Sequence, residues 1–148
     1  MTAHYKEIYP LIFAAGEGAS GTVADLLAAG HDVRERSKDG ETVLHVNAIK
    51  GDTATTQVLL AAGAEVDART PKGGTLWMTP LMWATYGGHV EMCKLLLNMG
   101  ADPTAADENG KAVLTMAQEA RHAEVEALLR EYIEKWPRRF DNREKGEL

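Results

Sequence analysis

Gly16, Gly18 and Gly21 spell Gly-x-Gly-x-x-Gly, after an apolar run from Leu11 to Ala15 and before a stretch of helical character from Thr22 to Ala29. Strand, glycine turn and helix in that order would seat a pyrophosphate on backbone N–H groups at the helix N-terminus. A nucleotide-binding enzyme using Gly16–Gly21 is therefore one reading of the chain. Other reactive groups are sparse. Ser20 and Ser37 are the only serines, Cys93 is the only cysteine, and His4, His31, His45, His89 and His122 are scattered. No two histidines stand at metal-ligand spacing with cysteine or carboxylate partners, so no catalytic residue, cofactor or metal is assigned.

The elements around that fingerprint offer a competing explanation. Leu11, Leu44, Leu81 and Leu114 lie 33, 37 and 33 residues apart, and Leu26, Leu59, Leu96 and Leu129 keep the same steps. Gly18, Gly51 and Gly88 share the register, as do Gly30, Gly63 and Gly100 and the turn glycines Gly40, Gly73 and Gly110. A period of this length signals stacked supersecondary units. Within a copy, two short apolar-periodic stretches such as Thr42–Lys50 and Thr53–Ala62 are split by one glycine and closed by another, the pattern of helix, turn, helix and left-handed cap. Leu11 and Gly18 recur at Leu44 and Gly51 and at Leu81 and Gly88, where no phosphate fingerprint exists. No series of buried strands follows that could complete a doubly wound sheet.

Thr42 and Thr79 are placed to cap first helices through their hydroxyls, and Pro80 suits the position just inside a cap, where no N–H is needed. One copy reads Thr79-Pro80-Leu81-Met82-Trp83-Ala84, then Gly88-His89, Leu95-Leu96-Leu97 and Gly100-Ala101-Asp102; another opens Thr42-Val43-Leu44-His45. These segments resemble the ankyrin repeat and its hallmark Thr-Pro-Leu-His-x-Ala, over roughly residues 5–135. The resemblance implies an all-α solenoid of four helix-turn-helix repeats joined by β-hairpin-like loops, at about 5–36, 37–69, 70–106 and 107–136 within a domain at 1–136. It implies that His45 ties adjacent loops by a hydrogen bond and that His89 and His122 are structural. It also implies a non-enzymatic module for protein–protein interaction, whose partner lies on a concave face of hairpin tips and first helices.

Carried over column by column, that face presents Lys38, Asp39 and Glu41; Ile49 and Lys50; Leu76, Trp77 and Met78; Tyr86; Glu108, Asn109 and Lys111; and Glu119. The 37-residue step comes from four extra residues at the tip joining copies two and three, within Lys72–Met78. Either this is a tolerated loop with Trp77 folded back on the stack, or Leu76, Trp77 and Met78 form an exposed apolar finger of the kind binding hot spots favour. Trp77 and Tyr86 are the candidate anchors. Trp83 can be core or contact, and Asn47, in the column of Ala14, Ala84 and Ala117, calls for a polar partner between repeats.

Copy one begins near Tyr5 with Tyr9 in the threonine column, and reads as an N-terminal cap. Copy four has Arg121 and Arg130 in columns that elsewhere hold glycine and leucine, so the stack is expected to stop there. Its last helix carries the stripe Val125, Leu128, Leu129, Tyr132, Ile133 and Trp136, and Pro137 is expected to end it. Residues 137–148 read as a charged, disordered tail, with a docking peptide as its functional reading. Its ending Lys145-Gly146-Glu147-Leu148 only faintly resembles an ER-retention signal. A formal charge of −6 argues against nucleic acid or an anionic membrane as partner. One cysteine excludes an internal disulfide, and no apolar run approaches the ~20 residues of a membrane span. A monomer in the cytosol or nucleus, binding an unidentified protein, is expected.

Overall fold

The computed structural model describes residues 3–140, with the side chains of 4–136. The chain forms α1 (Ala3–Ile8), α2 (Pro10–Gly16), α3 (Ser20–Ala28), α4 (Val43–Lys50), α5 (Thr53–Ala61), α6 (Pro80–Gly87), α7 (Val90–Asn98), α8 (Val113–Glu119) and α9 (Ala123–Phe140). No strand occurs among the described residues; the loops hold two isolated antiparallel bridges, Arg36 with Thr42 and Ala106 with Ala112. The pairs α2–α3, α4–α5, α6–α7 and α8–α9 stack in order, first helices on first helices and second on second. This is the all-α solenoid expected from the period.

Local chemistry sets the helix starts. Thr42 and Thr79 accept from the backbone N–H of His45 and Met82 at 3.2 and 3.3 Å, and Pro80 occupies the first helical position after Thr79. Asp52 caps α5 by accepting from Thr55 N at 3.1 Å. The leucine columns become the core: Leu11, Leu44, Leu59, Leu81, Leu96 and Leu129 are all buried. Burying a leucine is worth about 1.5–3 kcal/mol, which no single helix pair could obtain alone.

Gly51 and Gly88 illustrate why the glycine register holds. Both end first helices at positive φ, 76° and 69°. The next repeat then lays a histidine on each: a Cβ on Gly51 would meet His89 Nδ1 at 2.7 Å, and one on Gly88 would meet the His122 ring at 2.6 Å. Each ring donates from Nε2 to a carbonyl at the end of the preceding first helix, His89 to Ile49 at 2.7 Å and His122 to Tyr86 at 3.1 Å. Lys50 does the same for the first repeat, donating to the Gly16 carbonyl.

Two expectations change, and the alternative nucleotide-binding reading loses its scaffold. The segment before Leu11 holds an extra helix, α1, with the Tyr5 and Tyr9 rings 4.8 Å apart. The run Leu11–Ala15 is helix rather than strand, so the support that a Gly16–Gly21 phosphate loop requires is missing. Pro137 does not end α9, which runs to Phe140, so residues 137–140 belong to the helix rather than to a disordered tail. A proline removes its own N–H and its ring crowds the carbonyl four residues back, yet the residues after it keep their own donors. Residues 141–148, including the Lys145–Leu148 ending, lie outside the described residues.

Candidate functional site

The tip joining the second and third repeats is where the copies differ. In the regular tips one side chain closes the turn. Ser37 donates its N–H to the Glu41 carbonyl at 2.9 Å and accepts from Asp39 N and Glu41 N on its hydroxyl. Asp107 bonds Lys111 in the same way and accepts from Asn109 N and Lys111 N on Oδ1. Thr70 occupies that column in the inserted tip, and its N–H reaches the Met78 carbonyl at 2.9 Å while its hydroxyl accepts from Met78 N at 2.8 Å. One device is stretched by four residues.

The stretch is tolerated because neighbours close it. Arg69 donates to the carbonyls of Trp77 and Ala106 at 2.8 and 2.6 Å, with its guanidinium 4.1 Å from the Trp77 ring centroid; Lys72 lies 4.9 Å from the same ring. Glu108 accepts from Gly73 N at 2.7 Å and donates its own N–H to the Leu76 carbonyl at 2.9 Å. Within this clamp Leu76 and Trp77 adopt positive φ, 63° and 56°, which costs roughly 1–2 kcal/mol per non-glycine residue.

His45 fastens the tip to α4 from below. It is fully buried, with Nε2 2.8 Å from the Met78 carbonyl and Nδ1 2.7 Å from the Thr42 hydroxyl. A carbonyl only accepts, so Nε2 carries the proton and Nδ1 accepts. Burial pushes the imidazole down to about 4, partly offset by the Met78 bond, so the ring is neutral at pH 7. The Trp83 ring stands edge-on to it at 5.2 Å and 68°.

Above these groups lies an open apolar groove of about 370 Å³, lined by Ile49, Gly74, Thr75, Leu76, Met78, Trp83 and Tyr86. Ile49, Leu76 and Tyr86 are exposed as the sequence suggests, at 42%, 38% and 40%. Met78 is a correction. It is only 8% exposed, because its backbone is the buried partner of both His45 and Thr70, so it forms a wall and not a finger. Trp77 is 38% exposed but does not line the groove; the cations of Arg69 and Lys72 hold its ring. Trp83 is half-buried, both core and groove.

The remaining candidate residues differ in exposure and in their bonds. Lys38 and Asp39 are exposed and Glu41 is half-buried. Lys50 is exposed and bonded back to Gly16. Glu108 and Asn109 are exposed, Glu108 serving the clamp. Lys111 pairs with Glu119 at 2.8 Å, which raises the lysine pKa. Asn47 is fully buried, and neither its Oδ1 nor its Nδ2 has a partner, so the polar neighbour expected for it is missing. Sequence reasoning missed Arg69, although Arg36, 33 residues earlier, donates to the Arg69 carbonyl just as Arg69 donates to Ala106.

The Cys93 thiol is buried and pushed up to about 11 by desolvation, with Thr85 pulling the other way. Among the described residues no group of three or more His, Cys, Asp or Glu could hold a metal, and no helix is long and apolar enough to cross a membrane.

Comparison with known proteins agrees with this architecture. Residues 11–107 and 66–139 match the profile of a family described as ankyrin repeats (3 copies). The chain belongs to the ankyrin repeat family. Relatives of this ankyrin chain include palmitoyltransferase ZDHHC13 of Mus musculus, 37% identical over 117 residues that cover 73% of this chain and 18% of that protein. ZDHHC13 of Homo sapiens is 40% identical over 93 residues, 63% of this chain and 14% of that protein. Palmitoyltransferase ZDHHC17 of Homo sapiens is 41% identical over 86 residues, 58% of this chain and 13% of that protein. The chain thus spans under a fifth of the length of these relatives.

Proposed function

We propose that this ankyrin chain is a non-enzymatic protein-binding module, acting as a monomeric adaptor or stoichiometric regulator that holds a partner protein against its concave face. The groove between α4, α6 and the inserted tip carries the reading: an apolar concavity of about 370 Å³ walled by Ile49, Leu76, Trp83 and Tyr86. Exposed apolar patches with aromatic walls are the usual seat of binding energy. The clamp of Arg69, Thr70 and Glu108 fixes the tip beforehand, so association costs little ordering entropy. A non-enzymatic role is supported by the state of the reactive groups, since His45 has both ring nitrogens in structural bonds and the Cys93 thiol is buried.

The test compares wild type with an Ile49→Asp, Tyr86→Ala variant as immobilised bait in a source lysate. Both positions are exposed, so melting should change little, while the specific partners should disappear. Identical partner lists from the two baits would refute the reading.

A further inference from the structure

The two flanks of the groove differ in charge. On the C-terminal side Lys111 is matched to Glu119 at 2.8 Å. On the N-terminal side Asp39 and Glu41 make no ion pair among the described residues. Arg36, in the same tip, is turned to the carbonyls of Gly40 and Arg69 at 2.7 and 2.9 Å. Burial and then the Asp39 charge raise the Glu41 carboxyl. Burial first, then Glu41, Asp39 and Glu35 among other charges, raise the Tyr5 hydroxyl. Neither carboxylate has a cation within ion-pair distance, and the exposed Lys38 beside them forms no ion pair among the described residues.

Distance follows from the register. Glu41 and Met78 occupy one column, each accepting at its carbonyl from the residue that closes its tip. The carboxylates therefore sit one repeat from the groove along the same face. Stacked first helices lie about 10 Å apart, which an extended chain covers in about three residues.

We propose that the groove and this acidic tip together receive an extended basic peptide segment: one large apolar side chain seats against Ile49, Leu76, Trp83 and Tyr86, and a Lys or Arg about three residues away lies over Asp39 and Glu41. The inference rests on the protein-binding reading above and adds the chemistry of the partner. An incoming cation finds two unpaired carboxylates on this side, whereas on the other flank Lys111 already pairs with Glu119 and the Glu108 carboxylate is engaged by Gly73 N.

The test titrates the full chain into fluorescein-labelled peptides that carry one Phe in a Gly/Ser background, with one Lys walked outward on either side, and follows anisotropy at low salt. Affinity should peak with Lys about three residues from Phe on one side only, and fall roughly tenfold when that Lys is replaced by Glu. Added salt should erase the peak. Asp39→Lys with Glu41→Lys should reverse the preference to the Glu peptide, and Tyr86→Ala should weaken every Phe peptide alike. Glu41→Gln, the milder change, should flatten the Lys peak if the double variant fails to fold. Tyr86-dependent binding that ignores the position and sign of the charge would overturn the basic segment and leave the protein-binding reading intact. Absence of binding to every Phe peptide would overturn the segment too, and the lysate comparison would then decide the broader reading by itself. Sedimentation showing a wild-type dimer that Tyr86→Ala dissociates would make a second copy the occupant and overturn the proposal.

Discussion

The tip between the first and second repeats and the tip between the second and third are built on one plan and stabilised in different ways. At residues 37–41, Ser37 closes the turn, the neighbouring Arg36 braces the Gly40 carbonyl and Gly40 takes the positive φ, so the closure is made by adjacent residues. At residues 70–78 the same closure spans twice the chain, Leu76 and Trp77 take the positive φ that glycine would normally supply, and bonds from Arg69, Glu108 and His45 hold the result. The regular tip is closed by its own residues and touches the next repeat through Arg36 on the Arg69 carbonyl; the inserted one takes its bonds from the repeats on both sides. Strain maintained by neighbours is a mark of functional sites, and here it lies beside the apolar groove.

His45 should break the contrast most strongly. His45→Ala removes a buried ring, the acceptor of the Thr42 hydroxyl and one of the two donors to the Met78 carbonyl, so it should cost about 3 kcal/mol in denaturant titration, far more than Ser37→Ala in the regular tip. Acid should act through the same residue. Because the folded ring titrates near 4 against an ordinary 6.5, the unfolded chain binds the extra proton between those values. Stability from this group is complete above about pH 6.5 and lost as pH falls toward 4, by up to about 3 kcal/mol. Comparing wild type with His45→Gln across that window isolates the effect, since the raised carboxyls of Glu35, Glu41 and Asp67 are common to both proteins and cancel.

Arg69→Ala comes next. Loss of two charge-assisted bonds to carbonyls and of the contact with Trp77 should cost about 2 kcal/mol and speed amide exchange at Leu76, Trp77 and Glu108, while exchange at Asp39 and Glu41 stays as it was. Asn47→Ala should instead stabilise by about 1–2 kcal/mol, because it deletes a buried amide with no partner and restores the residue found at Ala14, Ala84 and Ala117. A destabilised Asn47→Ala would show that the amide is satisfied in solution. Leu76→Gly should have the smallest effect on melting, within about 1 kcal/mol, since relief of the left-handed strain offsets the lost apolar contact. It should still weaken peptide capture.

The sequence carried the parts of the fold that are written locally. Threonine caps, Pro80, the glycines at positive φ and the leucine columns each follow from residue type and period, and all of them stand where expected. What it did not carry is coupling across repeats. The clamp of Arg69 on Ala106 and of Glu108 on Gly73 joins residues 37 and 35 apart through side chains whose types suggest only surface charge. Met78 looked exposed because its neighbours in sequence are, and only the long-range bonds to His45 and Thr70 bury it. The aromatic ring of Trp77 marks it as a binding anchor, yet two nearby cations hold that ring while Leu76, Trp83 and Tyr86 line the groove. At the C-terminus, Pro137 suggested a stop that α9 passes through.

Deleting residues 74–77 would return the step between repeats to 33 residues and convert the inserted tip to the regular kind. Retention of partner protein by this deletion variant, measured beside wild type with melting as the check on folding, tests the account most directly. The account predicts a folded variant that melts close to wild type, from which the specific partner is lost. A folded variant that keeps the partner at wild-type affinity would contradict it.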